Sequence, residues 1–198
     1  MGKLLLIGNG RGVLDNQLGG EIDLFDVVVR LGTFKTDGFE KFVGTKTDLI
    51  ITAHWKLDYE RMKSFKTFVT FPVFYEKMAN KELGELEKEV LAKLDDKFHK
   101  NVSFMTNQDM EEIKQTYSIL GKTCFDVERI NPSLGYRALW YVMKNFSGYE
   151  KFVYGFDFFK TGWYWKEEHN RDLKNRHPYI YERTVYELLK KRGEIFEL

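Results

Sequence analysis

Apolar residues in this chain fall first into short unbroken runs and later into helical spacing. Residues 4–7, 27–30 and 48–52 are such runs, each entered or left through Gly, Asp or Thr, and Thr67–Phe71 is a fourth that stops at Pro72. Continuous apolar runs of this length predict strands buried on both faces, as in a parallel sheet. From 75 to 98 the pattern changes: Leu83, Leu86, Val90, Leu91 and Leu94 recur at helical spacing with charges between them, which predicts an amphipathic helix. A short strand is expected at 101–105 and a second amphipathic helix at 108–120.

The last third returns to alternation. Asn131 suits an N-cap and Pro132 the first helical position, followed by an apolar stripe of Leu139, Val142, Met143 and Phe146 that ends at Gly148. A strand is expected at 151–155, a helix at 181–192 and a final strand at 194–198. The fold class is therefore α/β: one Rossmann-like domain over 1–198 with a mostly parallel sheet flanked by helices. Within it, 73–125 reads either as a helical lid or insertion or as a plain connecting helix pair.

Composition narrows the function classes. The chain has 198 residues, 43% hydrophobic and 31% charged, with 31 basic and 30 acidic residues well mixed along it. That balance lacks the basic stripe of a nucleic-acid binder. No run approaches the roughly 18 apolar residues of a membrane span, so no transmembrane anchor is expected. The one cysteine, Cys124, makes no internal disulfide, and a cytoplasmic protein is expected. Aromatic residues reach 16%, which fits an aromatic core with a few rings left for sugar or base stacking.

Candidate chemistry collects where strands end. Gly8-Asn9-Gly10-Arg11 follows the first run and Arg30-Leu31-Gly32-Thr33 the second. Residues 129–135 open a helix whose N–H groups, with the Ser133 hydroxyl, suit an anion. Gly155-Phe156-Asp157-Phe158-Phe159 follows a late strand. Ligands of open α/β sheets bind beyond the carboxyl ends of the strands, so these pieces converge on one pocket. The dinucleotide fingerprint fits poorly, since the third glycine is misplaced and Gly19-Gly20 interrupts the helix that should follow. Hydride transfer is disfavoured on that ground. Among the histidines, His99 sits in charged sequence, His54 lies past the third strand, and His169 and His177 flank a polar segment where a loop-borne base is expected. No spacing suggests a metal site.

In joint order and spacing these motifs resemble the sialyltransferases. Residues 3–30 and 43–48 are similar to the first motif of the animal enzymes, 131–135 and 153–157 to the second, and His177 with Glu182 to the short His-x4-Glu motif. Small bacterial sialyltransferases also carry Gly-Asn-Gly near the N-terminus, Gly-x-Asp-Phe-aromatic, and a histidine ahead of the last helix. The resemblance implies a GT-A-variant-like fold, a CMP-sugar donor carrying sialic acid or a keto-acid such as Kdo, and a glycan or glycolipid acceptor. It implies inverting transfer without a metal or other cofactor, with His177 as general base and Asp157 in support. Donor contacts would come from Gly8, Asn9, Gly10, Arg11, Arg30, Asn131, Ser133, Leu134, Gly135, Gly155 and Phe156. Arg129, Tyr164, Trp165 and His169 would face phosphate or sugar. For Arg30 an ion pair with Asp48 is the equal alternative, and for Asp157 the capping of a turn.

The chain departs from the family pattern at three places. Gly32 stands where an asparagine is usual, and Phe159 and Trp165 where the bacterial enzymes hold the leaving phosphate with tyrosines. Phe159 offers no hydrogen bond, so Tyr164 or His169 would substitute. Such departures also fit a catalytically inactive nucleotide- or sugar-binding relative. Another nucleotide-dependent Rossmann-type enzyme, such as a methyltransferase, is the remaining alternative. It would place an acid where Arg30 stands. The single cysteine and the short chain point to a soluble bacterial or viral form.

Overall fold

Leu4, Leu5, Leu6 and Ile7 are each at most 2% exposed, because the strand they form has a neighbour on either edge and a packed layer on either face. The computed structural model describes residues 1–53, 67–71, 88–93, 102–117, 132–166 and 177–198. Their strands are β1 (Gly2–Ile7), β2 (Val27–Leu31), β3 (Leu49–Ala53), β4 (Thr67–Phe71), β5 (Val102–Phe104), β6 (Tyr149–Tyr154) and β7 (Phe196–Glu197). They form a seven-stranded sheet in the order β5-β4-β3-β2-β1-β6-β7. All its pairings are parallel. The chain thus winds outward from β1 to β5, then returns to the other side of β1, and the reversal between β1 and β6 opens a crevice at their carboxyl ends.

Alternate side chains of the central strands feed two cores. Leu4, Leu6, Val29, Leu31 and Ile51 meet Met110 and Ile113 of helix α3 (Asn107–Tyr117), Leu139 and Val142 of α4 (Leu134–Asn145), and Val185 and Tyr186 of α5 (Tyr179–Lys191). Leu5, Ile7 and Val28 meet Val13, Ile22, Phe25 and Val43 on the opposite face. That face is covered by short elements: a 3₁₀ turn at Arg11–Leu14, α1 (Gly19–Ile22) and α2 (Glu40–Val43). Each fully buried Leu, Ile or Val is worth about 1.5–3 kcal/mol, which is why the period-2 alternation inside an apolar run sets the register.

The helix expected to break at Gly19-Gly20 is indeed only a 3₁₀ turn and one helical turn. A Cβ on Gly19 would lie 1.9 Å from the Glu40 carbonyl oxygen, so glycine is what lets α1 and α2 touch.

Two helix starts differ from expectation. Ser133, not Asn131, caps α4, because its hydroxyl accepts the Tyr136 N–H at 3.2 Å. That helix ends with Phe146 as its cap, short of Gly148. α5 begins two residues earlier than the pattern suggests, since the Pro178 carbonyl accepts the N–H groups of Tyr181 and Glu182.

Within 73–125, read either as a lid or insertion or as a connecting helix pair, two described elements join neighbouring layers. β5 pairs with β4, and α3 is fastened to α4. Lys144 bridges Asp109 at 2.9 Å and Glu112 at 2.8 Å, and the Thr116 and Tyr136 hydroxyls lie 2.6 Å apart. Burial pushes the Tyr136 hydroxyl up to about 12, with the Thr116 bond acting the other way and Glu182 adding to the rise. Of the helix expected at 75–98, only 88–93 is described. There the Ala92 N–H donates to the Lys88 carbonyl, and Val90 is buried against Phe34 and Ile50.

Candidate active site

The loops after β1 and β6 are zipped together before any ligand is considered. The Gly8 N–H donates to the Tyr154 carbonyl at 2.7 Å and the Gly10 N–H to the Gly155 carbonyl at 3.0 Å. A Cβ on Gly8 would sit 2.4 Å from the Gly155 oxygen, and one on Gly155, at φ +72°, would sit 2.5 Å from Val13 Cγ1. Glycine here serves close approach of backbone to backbone. Asn9 extends the seam sideways. Its Nδ2 donates to the Leu31 carbonyl at 2.9 Å, and its own carbonyl accepts the Tyr164 N–H at 3.1 Å. The ends of β1, β2 and β6 therefore form one rigid floor.

The start of α4 borders this floor. A Cβ on Gly32 would meet Leu134 Cδ2 at 3.2 Å, and one on Gly135 would meet the Phe156 ring at 3.1 Å. Gly8, Asn9, Gly10, Leu134, Gly135, Gly155 and Phe156 are thus brought together as the strand-end argument expected. The anion at this helix start, however, is supplied by the chain. Glu182, 2% exposed, accepts the Ser133 N–H at 2.7 Å and the Ser133 hydroxyl at 2.6 Å. The Ser133 hydroxyl, expected to serve an external anion, is thus bonded to Glu182 in this structure. The N–H groups of Leu134 and Gly135 lie in the first turn of the same helix.

Three other expected residues are anchored in the fold. Arg30, 1% exposed, donates Nε to the Lys46 carbonyl and Thr47 Oγ1, and Nη2 to the Val43 and Lys46 carbonyls at 2.7 and 2.9 Å. It holds the loop before β3 by these bonds, rather than by the Asp48 pair that was one reading of it. Asp48 instead accepts the Val28 N–H at 2.9 Å. Tyr164, also buried and expected to face phosphate or sugar, donates its hydroxyl to the Lys35 carbonyl and accepts the Lys35 N–H at 3.1 Å. Asp157 caps its own loop: Oδ1 accepts the Phe159 N–H at 3.0 Å, and Oδ2 accepts both the N–H and the hydroxyl of Thr161. The turn-capping alternative describes that carboxylate. Arg11 donates its N–H to Thr161 at 2.9 Å while its side chain is exposed. Trp165 is half-buried and stacks on Trp163 at 5.5 Å and 13°.

That loop is strained. Phe158 and Phe159 have φ of +54° and +60°, and they are the non-glycine residues with positive φ among those described. Such a conformation costs on the order of 1–2 kcal/mol per residue and persists only where its surroundings enforce it. The Asp157 bonds do so from below, and Tyr186 does so from the side, with the Phe158 ring edge-on at 5.1 Å and Phe156 stacked at 5.9 Å. The result is that Phe159 lies flat on the His177 imidazole, 5.6 Å between centroids and 14° between planes. His177, half-buried just ahead of α5, is thereby placed beside the loop that follows β6.

Sequence reasoning placed Glu182 only in the His-x4-Glu motif and Phe159 only as a departure from the family pattern, and foresaw neither the Ser133 bond nor the His177 contact. A signal for Glu182 was present: positions 182, 185 and 186 share one helix face, and all three are buried. A carboxylate on that face needed buried partners. Arg129, Asn131, His169, His54, His99 and Cys124 lie outside the described residues. Among the described residues no group of three or more His, Cys, Asp and Glu could hold a metal ion, and no helix is long and apolar enough to cross a membrane.

A parallel sheet with a crevice at its switch point, glycine-built loops along it and a helix start at its border define a doubly wound α/β protein. The particular family follows from comparison with known proteins. A model of glycosyltransferase family 29 (sialyltransferase) matches residues 5–194, and the chain belongs to that family. The human CMP-N-acetylneuraminate-beta-1,4-galactoside alpha-2,3-sialyltransferase is 46% identical over 50 residues, 25% of this chain and 13% of that protein. The chimpanzee enzyme gives the same figures. The match therefore spans a small part of those relatives. A mammalian sialyltransferase crystal structure superposes over 100% of this chain and 68% of its own, with a TM-score of 0.70 at 18% identity. The sialyltransferase CstII from Campylobacter jejuni, in complex with a substrate analogue, cytidine-5'-monophosphate, gives 0.56 at 15% identity, covering 100% and 80%. At such identities the likeness concerns the fold.

Proposed function

We propose that this chain transfers sialic acid, or a related keto-acid sugar, from a CMP-activated donor to a hydroxyl of a glycan or glycolipid. The cytidine nucleotide would lie over the ends of β1, β2 and β6 and against the Leu134 and Gly135 N–H groups. In the proposed step the acceptor oxygen forms a bond to the anomeric carbon with inversion. The bond from that carbon to the CMP phosphate breaks, its electron pair leaves with CMP, and the acceptor proton passes to the His177 imidazole. CMP leaves as a weakly basic phosphomonoester, so hydrogen-bond donors and helix-end charge suffice and no metal is invoked.

The observation that carries this reading is the placement of His177 beside the loop after β6, together with a family match over nearly the whole chain. Calorimetric titration with CMP, AMP, UMP and S-adenosylhomocysteine tests it. CMP should bind selectively, and binding of S-adenosylhomocysteine alone would sink the proposal. His177→Ala should keep CMP affinity and lose transfer by about 10²–10⁴-fold. CMP binding with no turnover of CMP-sialic acid would instead mark an inactive binding relative, a reading that Phe159 and the committed Tyr164 hydroxyl favour.

A further inference from the structure

Phe159 occupies a backbone conformation that an L-residue with a side chain rarely adopts, directly after another residue in the same conformation. Strain of that kind is kept where it places something. What it places here is a phenyl ring, nearly parallel to the imidazole of His177. The ring is in turn held by a loop whose every restraint is internal to the fold: Asp157 receives the Phe159 and Thr161 N–H groups, and Phe158 packs on Tyr186 of α5, the helix that His177 precedes. Loop and helix are thus locked together on both sides of the contact.

A nearly parallel, offset aromatic contact limits rotation of the imidazole without using either ring nitrogen. A hydroxyl-bearing ring would add a donor and acceptor close to them, whereas phenylalanine adds none. The π-face also attracts the imidazolium that forms when the base takes a proton. Both effects act on a proton acceptor and neither requires contact with substrate.

We propose that Phe159 is the positioning residue of His177, setting the plane of the imidazole that receives the acceptor proton. The proposal rests on His177 being the base and adds to it the device that orients it.

Two readouts separate the two ideas. The first is the proton NMR signal of the His177 ring, identified by its loss in His177→Ala. In the wild type it should be shifted upfield by the phenyl ring current, and in Phe159→Leu it should move back. The second is CMP release from CMP-sialic acid with lactose as the acceptor probe. Phe159→Leu should lower kcat by about tenfold to a hundredfold with CMP affinity and the lactose KM within about twofold. Phe159→Tyr and Phe159→Trp, which keep a ring there, should restore most of the rate and the shift.

An unshifted wild-type signal overturns the contact. A lost shift in Phe159→Leu with kcat unchanged, or a change confined to KM, overturns the positioning role alone. Full transfer by His177→Ala, or no CMP release by the wild type, overturns the base and the role together, while the NMR signal still reports the stacking.

Discussion

Glu182 accepts both donors of Ser133, the N–H at 2.7 Å and the hydroxyl at 2.6 Å, so the last long helix holds the start of α4 by a buried carboxylate. The charge meets a helix N-terminus, where the backbone dipole favours it. α4 starts at Leu134, one of the two residues whose N–H groups border the crevice, so this bond sets where those groups point.

Glu182→Ala should destabilise the protein by about 2–3 kcal/mol, because it strands two buried donors. Ser133→Ala should cost about 1 kcal/mol as a lost cap. Urea denaturation of the two single variants and the double variant measures the coupling, which should exceed about 1 kcal/mol. Strict additivity would remove the interaction from the account.

Gly155→Ala should be severely destabilising, since its Cβ would clash with Val13 Cγ1 at 2.5 Å and the residue has φ +72°. Gly12→Ala is the internal control: its Cβ would meet only Asp15 Oδ2, at 3.8 Å. Thermal denaturation should show a large loss for the first and little change for the second. Equal losses would mean that the seam between the β1 and β6 loops is not what requires glycine.

Arg30→Lys should lower stability by about 2 kcal/mol, because an ammonium cannot reproduce a guanidinium that serves the Val43 and Lys46 carbonyls and the Thr47 hydroxyl together. CMP affinity of the folded variant should stay within about twofold. A selective loss of CMP binding with unchanged stability would return Arg30 to the ligand.

The α3–α4 bridge carries a pH signature. For Asp109, burial works to raise the carboxyl's pKa, but the Thr106 N–H and Lys144 outweigh it, and the result lies below the usual carboxylate value. A lowered folded-state value adds stability that is complete above the unfolded value of about 3.9 and is lost as pH falls through the folded one. Asp109→Asn should therefore be less stable than wild type near neutral pH, with the gap narrowing as pH falls below the unfolded value of about 3.9 and through the lower folded one. A gap independent of pH would assign the loss to something other than ionisation.

The central strands β1, β2 and β3 were legible because they are largely apolar runs buried on both faces, and Thr67–Phe71 is found at its expected bounds. Helix starts were less so. Asn131-Pro132 offers good local capping chemistry, but Ser133 is fixed as the cap by Glu182, a residue far away in sequence. The strand-end motifs were rightly read as meeting at one crevice, since a parallel sheet gathers its carboxyl ends along one edge.

What the sequence by itself determined is the alternation of apolar runs and amphipathic helices, hence the parallel α/β architecture, and the motif order that marks its family. Tertiary structure alone decided what each polar side chain does. Arg30, Ser133 and Tyr164 carry groups suited to a phosphate and Asp157 one suited to acid–base support, yet each is engaged by neighbours within the fold. The physical reason is that burial demands a partner for every polar atom. Which partner is near depends on strands and helices brought together over long stretches of chain, and residue type and local spacing do not encode that. Phe159 is the same case in an apolar residue: its ring reaches His177 only because a strained turn and an α5 contact bring it there.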